Sequence, residues 1–132
     1  MLVKGLEFKL EDKVTDLKTA KILKSGGLNV YATPAMVALM EQTAYESVQA
    51  QLEKGKTTVG ISMNVKHISA SPVGMEISCK STVTEIDGRK ISFYIEAYDN
   101  CGLIGKAEHE RFIVDADRFE QKTNSKVGNN NE

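Results

Sequence analysis

Two ionisable side chains fall where periodicity expects apolar ones. In residues 32–44, ATPAMVALMEQTA, a helix is expected to start at Thr33-Pro34 and to carry Glu41 on its most apolar side. At about 100° per residue, Val37, Ala38, Ala44, Tyr45 and Val48 surround Glu41, while Gln42, Glu46, Gln49 and Glu53 lie well around the wheel. An ionised carboxylate buried without a partner costs several kcal/mol, so it should be paired, protonated or beside a wet cavity. The next segment, TTVGISMNVKHIS, alternates as a strand. It sets His67 in line with Val59, Ile61, Met63 and Val65, and puts Gly60, Ser62, Asn64 and Lys66 on the other face. For either residue alone a structural role is the leading reading. An acid and an imidazole pointed into one interior reverse that order, because apposed buried acid and base groups are the pattern of a general acid–base site.

Thr33 is a third candidate with two readings. Thr at the N-cap followed by Pro is what a helix start requires, worth ~1 kcal/mol. The same helix terminus presents free N–H groups and a positive dipole end to a carbonyl or phosphate. Eight residues of helix separate Thr33 from Glu41, a rise of ~12 Å, so a substrate along the helix or a second chain would have to bridge them.

The elements that must position these groups are legible. GLEFKLEDKV alternates Leu6, Phe8 and Leu10 against charged neighbours and reads as a first strand, followed by an irregular stretch broken at Ser25-Gly26-Gly27. The helix is expected from Thr33 to about Glu53, stopped by Lys54-Gly55. Four strands follow, over residues 57–69, 74–86, 89–99 and 103–114, with a hairpin turn at Asp87-Gly88, a second at residues 99–102 and a break at Ser71-Pro72. One long helix followed by an antiparallel meander defines an α+β domain, a five-stranded sheet with the helix on one face, over residues 1–119. Residues 120–132 are polar and aperiodic, and a disordered tail is expected there. Tyr94 and Tyr98 lie opposite the Ile91, Phe93, Ile95 row and leave the outer sheet face partly apolar, which points to a homodimer or a dimer of dimers.

Composition excludes several classes. A net charge of −1 over 132 residues, with no dense Lys/Arg cluster, gives no basis for nucleic-acid or membrane-surface binding. No apolar run approaches the ~20 residues of a membrane span, and MLVKGLEFKLED lacks the apolar core of a signal peptide, so a cytoplasmic protein is expected. Cys79 and Cys101 do not make a disulfide scaffold; Cys79 reads as an inert core thiol and Cys101 as a turn residue. Two histidines without Cys/His spacing argue against a metal site, and neither a Gly-x-Ser-x-Gly elbow nor a phosphate-binding glycine loop is present. His109, in AEHERF, lies on a strand whose faces do not separate cleanly, and a structural or surface role is the expectation.

Taken in order, ATPAMVALMEQTA, TTVGISMNVKHISASPVGM and IGKAEHERFIVD resemble the hotdog-fold thioesterases of the fluoroacetyl-CoA thioesterase type, over roughly residues 7 to 119. The resemblance implies a long central helix wrapped by an antiparallel sheet, and a homodimer with active sites at the subunit interface. It also implies hydrolysis of an acyl-CoA thioester by a Thr, Glu and His set, with a strand glycine at the acyl carbonyl. In this chain these are Thr33, Glu41, His67 and Gly60. No cofactor is implied beyond the CoA of the substrate. KILKSGGLNV contains no phenylalanine, whereas enclosing a very small fluorinated acyl group would call for an aromatic lid. The expectation is therefore a thioesterase for a small or medium acyl-CoA, with a non-catalytic acyl-CoA-binding protein of the same fold as the alternative.

Overall fold

The computed structural model describes residues 1–129. Strand β1 (Glu7–Lys13) leads through a single 3-10 turn at Asp16–Lys18 and a one-turn helix α1 (Ala20–Leu23) into the long helix α2 (Thr33–Gln49). Strands β2 (Lys56–His67), β3 (Glu76–Asp87), β4 (Lys90–Asp99) and β5 (Gly102–Asp115) follow, and α3 (Ala116–Asn129) closes the described chain. The five strands form one sheet in the order β1-β3-β4-β5-β2, every pairing antiparallel. The β3-β4-β5 meander turns at Gly88 and Gly102, both in the positive-φ region at 60° and 140°, where a missing Cβ removes the steric cost.

Packing follows from alternation in the strands and from one stripe of α2. Met36, Leu39, Met40, Thr43, Ala44, Ser47 and Val48 are the buried residues of the helix. They meet Ile77, Cys79 and Val83 of β3, Ile91, Phe93, Ile95 and Ala97 of β4, and Ile104 and Ala107 of β5 in a single core. Helix and sheet approach so closely at β5 that a Cβ on Gly105 would lie 2.5 Å from the Met36 sulfur. Cys79 is buried in this core, where burial pushes its thiol up to about 11 and keeps it protonated. Tyr94 and Tyr98 face the other way, and both hydroxyls donate to Glu96 on the outer face.

The helix stops a turn earlier than the glycine alone suggests, at Gln49. The Gln49 side chain closes the corner to β2, donating to the Lys56 carbonyl at 2.9 Å and accepting from Thr57 Oγ1 at 2.8 Å. These bonds replace the helical continuation that residues 50–53 would otherwise make. The irregular segment between β1 and α2 is pinned at both ends. Lys18 pairs with Asp12, Tyr31 donates its hydroxyl to Asp12 at 3.3 Å, and the Tyr31 N–H donates to the Ser71 carbonyl at 2.8 Å.

The expectation of a structureless tail from residue 120 is corrected as far as Asn129. Asp115 accepts from the Arg118 N–H at 3.2 Å, Asp117 lies in the first turn and Lys126 in the last, so α3 has both a cap and the right dipole charges. Residues 130–132 lie outside the described residues. Residues 117–128 of α3 are exposed, so the helix adds little burial. Deleting residues 120–132 is therefore expected to leave stability unchanged within about 0.5 kcal/mol and the oligomeric state intact. A truncated chain that melts markedly lower or aggregates would show that α3 packs more than its exposure indicates.

Candidate active site

The first half of the site lies where α2 starts. Ala32 is the N-cap, with φ −73° and ψ 137°, and Thr33 is already helical with Pro34 behind it. The capping role expected for Thr33 is thus not what its hydroxyl does. No side chain caps this helix; Thr33 Oγ1 instead lies 2.8 Å from His67 Nδ1. His67 ends β2, and its ring stands edge-on to Tyr31 at 6.5 Å between centroids. Burial lowers the His67 pKa, with the Ser69 backbone acting in the opposite direction, so the imidazole is neutral near pH 7 and free to take a proton. Its Nε2 is buried without a hydrogen-bond partner among the described residues. A cavity of about 250 Å³ opens beside the pair, lined in part by Ser25, Val30, Tyr31 and Ile68.

The second half forms two turns further along α2. Glu41 is half-buried, not in the fully buried stripe, and its neighbours Ala38 and Tyr45 are exposed. The apolar side inferred from the helical wheel is therefore the flank beside β2, because the sheet takes the Met36, Met40 and Ala44 stripe instead. Glu41 leans on Gly60: a Cβ there would lie 3.0 Å from Glu41 Oε2, 3.3 Å from His109 Cε1 and 3.4 Å from Arg111 Nη1. Strict alternation would have turned Gly60 away from His67. A β-bulge between Gly60 and Ser62 shifts the register against β5, so Gly60 and buried Thr58 face the helix together with Met63, Val65 and His67.

His109 and Arg111 complete this half and were not expected in it. Arg111 is 7% and His109 1% exposed. Arg111 donates from Nε to Thr58 Oγ1 at 2.7 Å and from Nη2 to the Thr58 carbonyl at 3.0 Å, and its guanidinium lies 5.8 Å from the Tyr45 ring centre. Burial disfavours its charge; the nearby Glu41 carboxylate favours it. The sequence did hold a signal. In KAEHERF the charges of Lys106, Glu108 and Glu110 alternate with Ala107, His109 and Arg111, which sets His109 and Arg111 on the side opposite three solvated charges.

The structure thus joins Thr33 to His67, and Glu41 to Gly60. It does not join the two pairs within one chain. No ion pair links Glu41 to His67 among the described residues, and seven strand residues from Gly60 to His67 span roughly 20 Å. The shared interior expected for Glu41 and His67 is therefore two half-sites. One is a hydroxyl held against an imidazole. The other is a carboxylate with a buried guanidinium beyond ion-pairing distance.

A helix wrapped by a five-stranded antiparallel sheet is the hotdog architecture, and the family match and relatives make the chain a thioesterase of that fold, a hydrolase of thioester bonds. Residues 14–117 match the family model of the fluoroacetyl-CoA-specific thioesterases, and the chain belongs to that family. It is 31% identical over 98 residues to the fluoroacetyl-CoA thioesterase of Streptantibioticus cattleyicolor, covering 74% of this chain and 70% of that protein. A solved threonine-to-serine variant of fluoroacetyl-CoA thioesterase in complex with acetyl-CoA superposes with a TM-score of 0.90 at 27% identity, over 95% of this chain and 98% of that one. A thioesterase superfamily member of Thermus thermophilus gives 0.90 at 25% identity, over 98% and 96%.

The contact at Gly60 yields a direct expectation. Gly60→Ala places a methyl group against the Glu41 carboxylate, which can swing aside because it ends a flexible side chain. Stability should change by no more than about 1 kcal/mol, while kcat for thioester hydrolysis falls about ten-fold or more. Full activity in Gly60→Ala would mean that the position of the carboxylate is unimportant.

Proposed function

We propose that this enzyme hydrolyses a small or medium acyl-CoA thioester to the free acid and CoA, in a site that two copies of the chain assemble. The observation that carries this reading is the 2.8 Å contact between Thr33 Oγ1 and a neutral His67, with His67 Nε2 left buried and unpartnered. A hydroxyl held against an imidazole is a nucleophile and base couple, and a third group is wanted on the far ring nitrogen. Glu41 is a carboxylate to which no described side chain donates. The two unsatisfied groups are chemically complementary.

The β2 edge supplies the geometry. It is a 12-residue strand with one side unpaired, and Ile61 on it is 52% exposed. The opposite edge, β1, carries Glu7, Lys9, Glu11 and Lys13 as exposed charges, the usual protection of an unpaired strand. Antiparallel pairing of β2 with its copy about a two-fold axis near the middle of the strand would bring Gly60 of one chain toward the partner chain's equivalent of His67. Both would lie on the inner face of the joined sheet, Gly60 because the bulge has turned it inward. Each dimer would then hold two sites, each with Thr33 and His67 from one chain and Glu41 and Gly60 from the other. Assembly of two such dimers through the outer sheet face belongs to the same reading.

In hydrolysis, the oxygen of Thr33 or of a water adds to the thioester carbonyl as its proton passes to His67 or Glu41. The carbon–sulfur bond then breaks, and the departing thiolate takes a proton from the imidazolium or the carboxylic acid. Where Thr33 attacks, a water then adds to the acyl-threonine ester, giving its proton to the same base. The ester bond breaks to release the free acid and restore the Thr33 hydroxyl. The Gly60 N–H is suited to the developing oxyanion, a donor of a kind typically worth ~3 kcal/mol. The acetyl-CoA complex of a related threonine variant supports an acyl-CoA as substrate. No described helix is long and apolar enough to cross a membrane. The two cysteines are free, which supports a reducing cytoplasm as the location.

Two experiments test this. With a panel of acyl-CoAs and a thiol reporter, Glu41→Gln and His67→Ala should each lower kcat by ~100-fold or more, and the double variant should cost far less than the sum, because members of one catalytic unit are not additive. Thr33→Ser should keep substantial activity and Thr33→Ala lose it, with little change in stability, since this hydroxyl caps no helix. Near-wild-type rates in both Glu41→Gln and His67→Ala would remove the assignment; saturable acyl-CoA binding without thiol release would make the protein a binder. Light scattering should show a dimer or a dimer of dimers, and a monomer at micromolar concentration would count against the reading. Asn64→Pro, which breaks the middle of the β2 edge, should give an inactive monomer, and a fully active monomer would refute the shared site.

A further inference from the structure

Beyond Thr33, Glu41, His67 and Gly60, His109 is a buried titratable group to which no role has been given. His109 is 1% exposed and fully engaged: Nδ1 lies 2.7 Å from the Ser62 carbonyl, Nε2 lies 3.2 Å from Arg111 Nη1, and the ring lies over Phe93 at 5.9 Å between centroids. These partners fix its chemistry. A carbonyl only accepts, so Nδ1 must carry the proton, and a guanidinium only donates, so Nε2 must present its lone pair. The ring is thus a neutral imidazole in one tautomer.

The acceptor at Nε2 completes the fixing of Arg111. Thr58 takes the Nε hydrogen and one Nη2 hydrogen, which anchors one side of the fork. Nη1, the corner nearest Gly60, is held by His109 and by no other described residue. Its second hydrogen has no acceptor among the described residues.

We propose that His109 is a positioning residue that holds Arg111 Nη1 against the Glu41 and Gly60 half of the active site through an unprotonated Nε2. This rests on the reading of Glu41 as a catalytic group. A proton on Nε2 would set an N–H against the guanidinium, break the bond and add a second buried cation. The charged groups facing the ring are Arg111 and Glu110 from β5 and Glu41 from α2, with Ser62 from β2 and Phe93 from β4 contributing none. Burial and Arg111 depress the His109 pKa below 6.5, against the raising effects of the Ser62 carbonyl, Glu41 and Glu110. The sign follows: Arg111 is held in place above about pH 6.5, and the hold is lost as pH falls through the lowered value.

The test uses the whole protein. Long-range nitrogen NMR of the imidazoles should show His109 protonated at Nδ1 and unprotonated at Nε2, remaining neutral below pH 6.5. His109→Phe keeps the ring volume and removes the acceptor, and should lower kcat about ten-fold or more with KM within about two-fold. His109→Gln can put its amide oxygen near the Nε2 position; it should recover most of that loss at pH 8 and hold its activity to lower pH than wild type. His67 titrates in both, so the difference between the two profiles reports His109. If His109→Phe does not fold, the Gln profile and the NMR decide. An Nε2-protonated ring, equal losses in Phe and Gln, or an unchanged acid limb in Gln would overturn the proposal. Should Glu41→Gln prove fully active, the catalytic reading falls, whereas the tautomer and pH titration of His109 still report whether it holds Arg111.

Discussion

Between Gly60 and Ser62 the ladder joining β2 to β5 takes in one residue more on the β2 side, and the site depends on that insertion. A strand's side chains alternate with a period of two, so an extra residue exchanges the faces of everything before it. Thr58 and Gly60 turn toward α2, and Ile61 is left half-exposed at the edge. With Thr58 inward, Arg111 finds an acceptor for Nε and for Nη2 and can be buried. With Gly60 inward, there is room for the Glu41 carboxylate against the strand, which a side chain would deny. Removing the bulge would turn Val59 and Ile61 toward the helix, fill that space with apolar groups and leave a buried guanidinium without partners. The last of these would be the most expensive, since a buried charge stripped of its partners costs several kcal/mol.

The charges around the bulge make more sense as a working site than as a stabilising one. Arg111 is almost fully buried, yet forms no ion pair with Glu41 within 4.0 Å among the described residues; its bonds go to a hydroxyl, a carbonyl and an imidazole. A protein using these residues for stability would close the pair, because a hydrogen-bonded ion pair offsets part of the desolvation that both groups suffer. Holding a cation and a carboxylate near each other but apart keeps N–H donors and carboxylate lone pairs free for an oxygen or a proton that arrives from outside. The same holds for His67, whose Nε2 is buried without a partner among the described residues. Buried polar groups left open in this way are the pattern expected of a functional site.

Much of this was legible in the sequence, and the gaps have physical causes. The periods of the elements located the long helix and all five strands, because one apolar stripe and clean alternation leave few alternative folds. Thr33, Glu41, His67 and Gly60 were all singled out, and the structure brings them together in two pairs. The assumption of unbroken alternation through β2 put Gly60 on the wrong face, since a bulge leaves no mark in the composition of GISMN. Thr33 read as a cap because Thr-Pro suits a helix start; the start lies one residue earlier, and that frees the hydroxyl for His67. His109 and Arg111 went unassigned because histidine and arginine fit a solvated strand equally well until Thr58 is known to face inward. The end of α2 and the C-terminal helix turn on side-chain caps at Gln49 and Asp115, which local propensity does not weigh.

The separation of the two half-sites follows from the fold. A helix lying along a sheet can touch a strand at two points, and Thr33 and Glu41 are set apart by ~12 Å of helix, Gly60 and His67 by roughly 20 Å of strand. No side-chain rotation closes such distances within a chain whose core is already packed. The proposed two-fold axis on the β2 edge would close them without moving anything, because it would reverse the order of the two points on the second copy. On the proposed reading, the fold that keeps an imidazole and a carboxylate apart in one chain would be the fold that lets two chains bring them together. Catalysis and assembly would then be one equilibrium, with the water-excluding interface and the complete set of reacting groups forming in the same step.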